Sequence, residues 1–511
     1  MNNRNKKNSI KIANIALILI VIASTFSCTS DFEEINRNPN LPTNARAENL
    51  LGGVQYFTFA EPRFVSWRGN LLYTSQFSHQ FTTNVQGTWW AGVDSYKNDQ
   101  GWTNGVFDQP YKKSSINLRA LLIEYQDLND IQGMVITRIM MSMFTQKMTD
   151  IFGNVPHKEI IVPQIEVLSP KYETQKEIYK FIIEDLKEQM NIIGASTETI
   201  NGAKGDFIYQ GDPQKWKVLA NTLRLRMALR SREAFIADGE SNFINAVIND
   251  CLANPLIDDT NEATLERSKE PLINANLDGG FEDVYWGFAG LGSKWVPTER
   301  YVSLLRDNND PRLGEILTEA ENGGYKGSFV NIRTAPEWED MAKPSEKIIG
   351  KGLSDLKDQV NVMVLTAAES NFLQAEAALL GYAGNANASY QAGISSSIRF
   401  WGAELGTFIA SEPIATLSGS NEEQLTQVYN QRWLASLTNG YESWSLVRRT
   451  NLIPQITDNT NYWVSQPNNG NVPNRLPYSS TEKTLNKENI TAAIQQQGPD
   501  EMNTKLWWDM N

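Results

Sequence analysis

The 511-residue chain has only two cysteines, Cys28 and Cys251, and two histidines, His79 and His157. Two cysteines cannot build the disulfide framework of small exported domains, so stability must come from a large apolar core. The histidines lie far apart and neither belongs to a His-x-x-x-His pair, which leaves a histidine metal centre without support. A lone histidine is also more often an ordinary polar residue than a general base. There is no Gly-x-Ser-x-Gly nucleophile elbow and no Walker-type Gly-Lys-Ser/Thr, and no cofactor is expected. Positive charge is also scarce, with 46 Lys and Arg against 59 Asp and Glu and a net charge of −13. So acidic a surface disfavours nucleic acid and bare anionic lipid as partners.

What is present begins at the N-terminus. Arg4, Lys6, Lys7 and Lys11 precede an unbroken apolar run from Ile15 to Ala23, which ends just short of Cys28. A basic start followed by an apolar run is a secretory signal peptide. A cysteine at the end of that run points to lipoprotein processing, with cleavage before Cys28 and acylation on it. Ser27 is a suitable small residue there, whereas Phe26 and Thr25 depart from the usual motif. Removing the leader takes its four basic residues away and moves the net charge from −13 to −17. Membrane attachment would then come from acyl chains, not from a basic patch. With Cys28 lipidated, Cys251 stands alone and reads as a small buried apolar residue.

Residues 29 to 46 are polar, with a turn at Asn38-Pro39-Asn40, and read as a tether. Four segments then show helical spacing. Ile178, Ile182, Leu186 and Met190 follow a start signal at Ser169-Pro170; Trp216, Leu219, Leu223 and Met227 follow Asp212-Pro213. A third runs from about Thr366 to Leu380 and is closed by Gly381; a fourth runs from Asn421 to about Leu437. Each carries a broad apolar stripe that needs a partner helix, which suggests stacked helical hairpins, although no clean repeat of about 34 residues is visible. Long Gly-, Asn-, Pro- and aromatic-rich stretches intervene at roughly 54–110, 255–360 and 455–505. The division expected is a signal peptide over 1–27, a lipidated tether over 28–46 and one domain over 47–511.

Several strings resemble the SusD/RagB family of Bacteroidetes outer-membrane lipoproteins, in its SusD-like branch. The start Asp31-Phe32-Glu33-Glu34-Ile35-Asn36 is one. Thr149-Asp150-Ile151-Phe152-Gly153-Asn154-Val155-Pro156 is another, with Asn154 in place of the usual Asp and His157 in place of the usual Tyr. Asp310-Pro311-Arg312 and Gln374-Ala375-Glu376-Ala377 match further points. The C-terminal third adds Tyr429-Asn430-Gln431-Arg432-Trp433, Gly440-Tyr441-Glu442-Ser443-Trp444, Arg448-Arg449-Thr450, the stretch from Val472 to Tyr478, Glu482, Asn486 and Trp507-Trp508-Asp509. Their colinear order over the mature chain carries the resemblance. It implies an all-α, tetratricopeptide-like scaffold of helical hairpins with long irregular aromatic-rich loops. It also implies a lipid-anchored protein of the outer-membrane surface that captures glycan or peptide and sits on a SusC-like TonB-dependent transporter barrel. In that family acidic residues after the lipidated cysteine direct surface export. Asp31, Glu33 and Glu34 fit that role and fit a solvated tether equally.

A sugar site needs flat aromatic faces for the C–H side of a pyranose, with amide, carboxylate and guanidinium groups for its hydroxyls. The loop from 79 to 104 has this mixture, with Trp89, Trp90, Tyr96 and Trp102 among residues such as Asn98 and Asp99. A second cluster holds Trp286 and Trp295 among glycines. Trp89, Trp90, Tyr96, Asn98, Trp102, Trp286 and Trp295 are therefore the candidate ligand contacts; the competing reading has such rings pack loops onto the scaffold. Trp433, Trp444, Trp507 and Trp508 sit in family-wide strings and read as core. Arg448 and Arg449 could clamp an anion, but their place in such a string favours internal salt bridges. The run from Asp307 to Asp310 lacks the glycine and terminal glutamate of a calcium loop and reads as a turn.

The expected function is capture of a surface glycan, by binding and without covalent chemistry. Three alternatives remain: a peptide ligand on the same fold, a structural subunit that gates the transporter, and a glycoside hydrolase. The hydrolase needs only two carboxylates about 5–10 Å apart, which depends on fold and not on sequence pattern.

Overall fold

A computed structural model describes residues 46–60, 66–83, 96–162, 167–266, 294–334, 336–350, 359–457, 460 and 469–511. The leader, Cys28 and the tether lie outside the described residues. Three helices come early: α1 (Arg46–Gln55), α2 (Gln100–Pro110) and α3 (Ile116–Asp127). Next are α4 (Ile131–Phe152), α5 (Gln175–Ile193), α6 (Pro213–Ala237), α7 (Ser241–Leu252) and α8 (Glu299–Arg306). The C-terminal half holds α9 (Ala367–Leu379), α10 (Ala386–Phe400), α11 (Asn421–Ala435) and α12 (Gly440–Thr450), then α13 (Ser480–Leu485) and α14 (Lys487–Gln497). Sequential helices pack as hairpins, α3 on α4, α5 on α6, α6 on α7 and α9 on α10. This is the mostly helical, tetratricopeptide-like architecture that the resemblance implies.

Local chemistry fixes the helix starts. Asp212 accepts hydrogen bonds from the Gln214 and Lys215 amides while Pro213 fills the first turn. Thr366 caps α9, and Ser420 with Glu423 forms a capping box on α11. The start signal at Ser169-Pro170 is corrected: α5 begins after a capping box of Thr174 and Glu177. Tyr172 and Glu173 instead pair with Val155 and Pro156 in a short antiparallel ladder. Hairpin α9/α10 closes tightly because Gly393 has no side chain; a Cβ there would stand 2.6 Å from the Phe372 ring.

The long connections are less irregular than their composition suggests. Stretch 54–110 contains two π-helical segments, Tyr56–Ala60 and Ser66–Ser75, as well as α2, and stretch 455–505 contains α13 and α14. Antiparallel patches tie remote segments together, Phe81–Thr83 to Trp295–Pro297 and Ala263–Leu265 to Val362–Leu365. Cys251 is fully buried, and burial pushes its thiol up to about 12. Trp433, Trp444 and Trp508 are core residues, while Trp507 is half-buried between Tyr179 and Phe235.

Inside the stack runs a chain of buried charges. Arg230 on α6 pairs with both Asp150 on α4 and Glu442 on α12. Arg226 reaches Glu369 on α9 at 2.6 Å and Glu442 at 3.5 Å. Arg432 on α11 continues to Glu369 at 2.8 Å and Glu376 at 3.5 Å, and Arg449 closes on Glu376 at 2.7 Å. Arg449 thus makes the expected internal salt bridge. Arg448 does not: it donates to the carbonyls of Trp444, Asn474 and Asp150 and stacks 3.7 Å from the Trp444 ring centre. Asn154, the departure from the usual Asp, accepts from the Gln175 amide and donates to the Ala493 carbonyl, and a carboxylate could not make the second bond.

Burial alone would raise the Glu442 pKa, but Arg226, Arg230 and Arg432 outweigh it and hold the group at about 2. Its folded-state pKa is therefore depressed, so its contribution is complete above the unfolded value of 4.5 and is lost as pH falls towards about 2. Glu442→Gln leaves two arginines short of charge and should cost about 3–5 kcal/mol in urea unfolding at neutral pH. The deficit relative to the parent protein should shrink as pH falls from about 4.5 to about 2. An unchanged midpoint at neutral pH would contradict the assignment.

Candidate functional site

Asp99 organises the end of the aromatic loop, where it meets α2. Its side chain caps α2 by accepting from the Trp102 amide at 3.1 Å, which places the indole in the first helical turn. Thr103 locks the approach by donating to the Asp99 carbonyl at 2.7 Å and to the Asn98 side chain. The Tyr73 hydroxyl donates to the same Asp99 carbonyl, and burial pushes that phenol up to about 12. The Arg68 guanidinium, from the π-helical segment, lies 4.6 Å from the Trp102 ring centre. Burial lowers the Arg68 pKa, while Tyr73 and Asp99 pull it up. Gly105 makes room for this arginine, since a Cβ there would come 3.1 Å from Nη1.

Amides anchor the platform to the C-terminal segment. The Asn104 side chain donates to Ser480 Oγ at 2.7 Å and accepts from the Ser480 amide at 2.9 Å. Gln100 donates to Asn104 and to the Tyr478 carbonyl. An indole, a guanidinium, an exposed carboxylate and side-chain amides therefore meet around one half-buried ring. This set can pack against the apolar face of a sugar and exchange hydrogen bonds with its hydroxyls.

The other candidates separate into groups. Asn98 and Trp102 belong to this platform. Tyr96 and Trp295 do not offer ring faces and are corrected to packing residues, at 0% and 1% exposure. The Tyr96 hydroxyl is hydrogen-bonded to His79, and Trp295 is held inside by the ladder with Thr83. Trp89, Trp90 and Trp286 lie outside the described residues. Arg68 was not among the sequence candidates, because nothing in its neighbours announces a π-helical turn. Trp338 was also missed; it is partly exposed, with Lys343 and Lys294 4.6 and 5.4 Å from its ring centre.

Both histidines and Asp310 are taken up inside the fold. His79 and His157 are both held at about 3, chiefly by burial, and so stay neutral. Asp310 is committed to Arg312 at 2.6 Å, within the turn expected there. No group of three or more His, Cys, Asp or Glu side chains is placed to hold a metal, and no helix is long and apolar enough to cross a membrane, among the described residues.

Known proteins resemble this chain in sequence pattern and in shape. The family described as SusD-like, "Starch-binding associating with outer membrane", matches residues 39–479. No curated protein sequence matches. Among solved structures, a chitin-binding protein is 25% identical with a TM-score of 0.75, over 91% of this chain and 100% of its own. A SusD homolog from Bacteroides uniformis is 21% identical with a TM-score of 0.76, over 91% and 99%. A chitin-binding SusD homolog from Flavobacterium johnsoniae is 20% identical with a TM-score of 0.75, over 92% and 99%. Matched over most of its length and sharing that helical architecture, the chain belongs to the SusD-like family.

Proposed function

We propose that this protein is a glycan-binding lipoprotein of the outer-membrane surface that passes captured oligosaccharide to a SusC-like TonB-dependent transporter barrel. The observation that carries the ligand class is Trp102, held half-exposed at the start of α2 against Arg68 and ringed by Asp99, Asn98 and Asn104. Family membership supports the surface location, and the chitin-binding character of two structurally similar proteins supports a glycan over a peptide. Members of this family bind ligands and do not transform them, so the activity proposed is capture. Residues 1–27 act as the export signal, 28–46 as the tether and 47–511 as the binding domain. Acylation of Cys28 provides the membrane anchor.

Trp102→Ala should weaken retention in polysaccharide affinity gels by about tenfold, the scale of one lost stacking contact. Alanine at Trp89 or Trp90 should act in the same direction. Unchanged mobility of the parent protein across a broad polysaccharide panel would contradict the glycan assignment and favour a peptide ligand, and release of reducing sugar would favour a hydrolase. For the anchor, Cys28→Ser should move the protein out of the outer-membrane fraction. Mass spectrometry of the mature parent N-terminus should find an acylated cysteine, and an unmodified one would refute the anchor.

A further inference from the structure

Arg68 reaches Trp102 from the π-helical segment Ser66–Ser75, a winding that is rare and concentrates at functional sites. This segment meets α2 at three points. Arg68 lies over Trp102, and the Tyr73 hydroxyl donates to the Asp99 carbonyl at 3.2 Å. Gly69 is the third, since a Cβ there would stand 3.4 Å from Val106. On its other side the segment is joined to the start of α12, and Asn70 makes the join.

Asn70 Nδ2 donates to the Thr438 carbonyl at 2.8 Å, and Asn70 Oδ1 accepts from the Gly440 amide at 2.7 Å. Gly440 is the first residue of α12, so its amide has no carbonyl within the helix to bond. A side chain 370 residues away in sequence therefore supplies part of the helix cap. Between the two bonds the backbone is strained: Thr438 sits at φ +74°, a region that β-branched residues avoid. Such an outlier persists only where its surroundings over-determine it, and strain of this kind clusters at ligand-binding sites. Asn70 grips the strained turn on both sides. Arg68 stands two residues before it on the same segment, so a shift of Asn70 against α12 is passed to the guanidinium and from there to the indole.

We propose that Asn70 is a positioning residue of the Trp102 platform, acting through Arg68: by clamping the π-helical segment to α12 it sets where the guanidinium meets the indole. This role rests on the glycan-binding reading of that platform. The test uses the full mature chain labelled with 5-fluorotryptophan, with the Trp102 resonance identified by its loss in Trp102→Phe. Asn70→Ala should shift or broaden that resonance and leave the line of the fully buried Trp216 in place. The spectrum is read without ligand, so it decides the placement whatever the glycan is. In affinity gels cast with glycol chitin, Asn70→Ala should weaken binding by about fivefold in the parent chain and have almost no effect in the Trp102→Ala background. An unmoved Trp102 resonance would overturn the proposal. So would an equal loss in both backgrounds, because a defect of folding alone lowers the two alike. Retention that Trp102→Ala leaves intact would instead refute the glycan reading of the platform, and the role of Asn70 would fall with it.

Discussion

A buried chain of alternating charges joins the helical scaffold across its hairpins. Asp150, Arg230, Glu442, Arg226, Glu369, Arg432, Glu376 and Arg449 come from α4, α6, α12, α9 and α11, and each contact spans two helices. Removing one partner of a buried ion pair leaves an uncompensated charge, which is strongly destabilising. These contacts tie the five helices to one another, whereas apolar packing accepts substitutions of similar volume. It also explains what the family resemblance consists of. Asp150, Glu376, Arg432, Glu442 and Arg449 stand in five separate strings of the sequence, and in the fold they are one connected set.

The Trp102 platform rests on this frame. Tyr441, beside Glu442, packs against the π-helical segment, where a side chain on Gly69 would collide with its hydroxyl. That segment delivers Arg68 to Trp102. Further along, Phe77 packs on Trp444 of α12. A loop-borne aromatic site gains precision when the elements under it are rigid, because a displaced ring loses both stacking and hydrogen bonds.

Much of this was legible in the chain, for reasons that differ residue by residue. Caps at Asp212, Thr366 and Ser420 announce helices because their side chains satisfy backbone amides locally. Ser169-Pro170 misleads, because a proline turn there feeds a two-residue ladder before the true cap at Thr174. Helix α4 escapes periodicity because it is buried nearly all round, polar residues included, so no single apolar stripe stands out, and α13 and α14 escape it because they are short and largely polar. The site was only partly readable. Trp102 follows a recognisable Asp cap, but the burial of Trp295 depends on pairing with Thr83, far away in the sequence. Composition marks a region as aromatic and polar; which rings face outward is decided by long-range pairing.

The interior charge chain is tested most directly by a double-mutant cycle on Arg449 and Glu376, which join α12 to α9 at 2.7 Å. Arg449→Met, Glu376→Met and the double variant would be compared by urea unfolding at neutral pH. The account predicts that the double variant is more stable than the sum of the single losses implies, by roughly 1–3 kcal/mol of coupling. Losses that add within about 0.5 kcal/mol would mean that the two side chains act independently and that the charge chain does not hold the scaffold together.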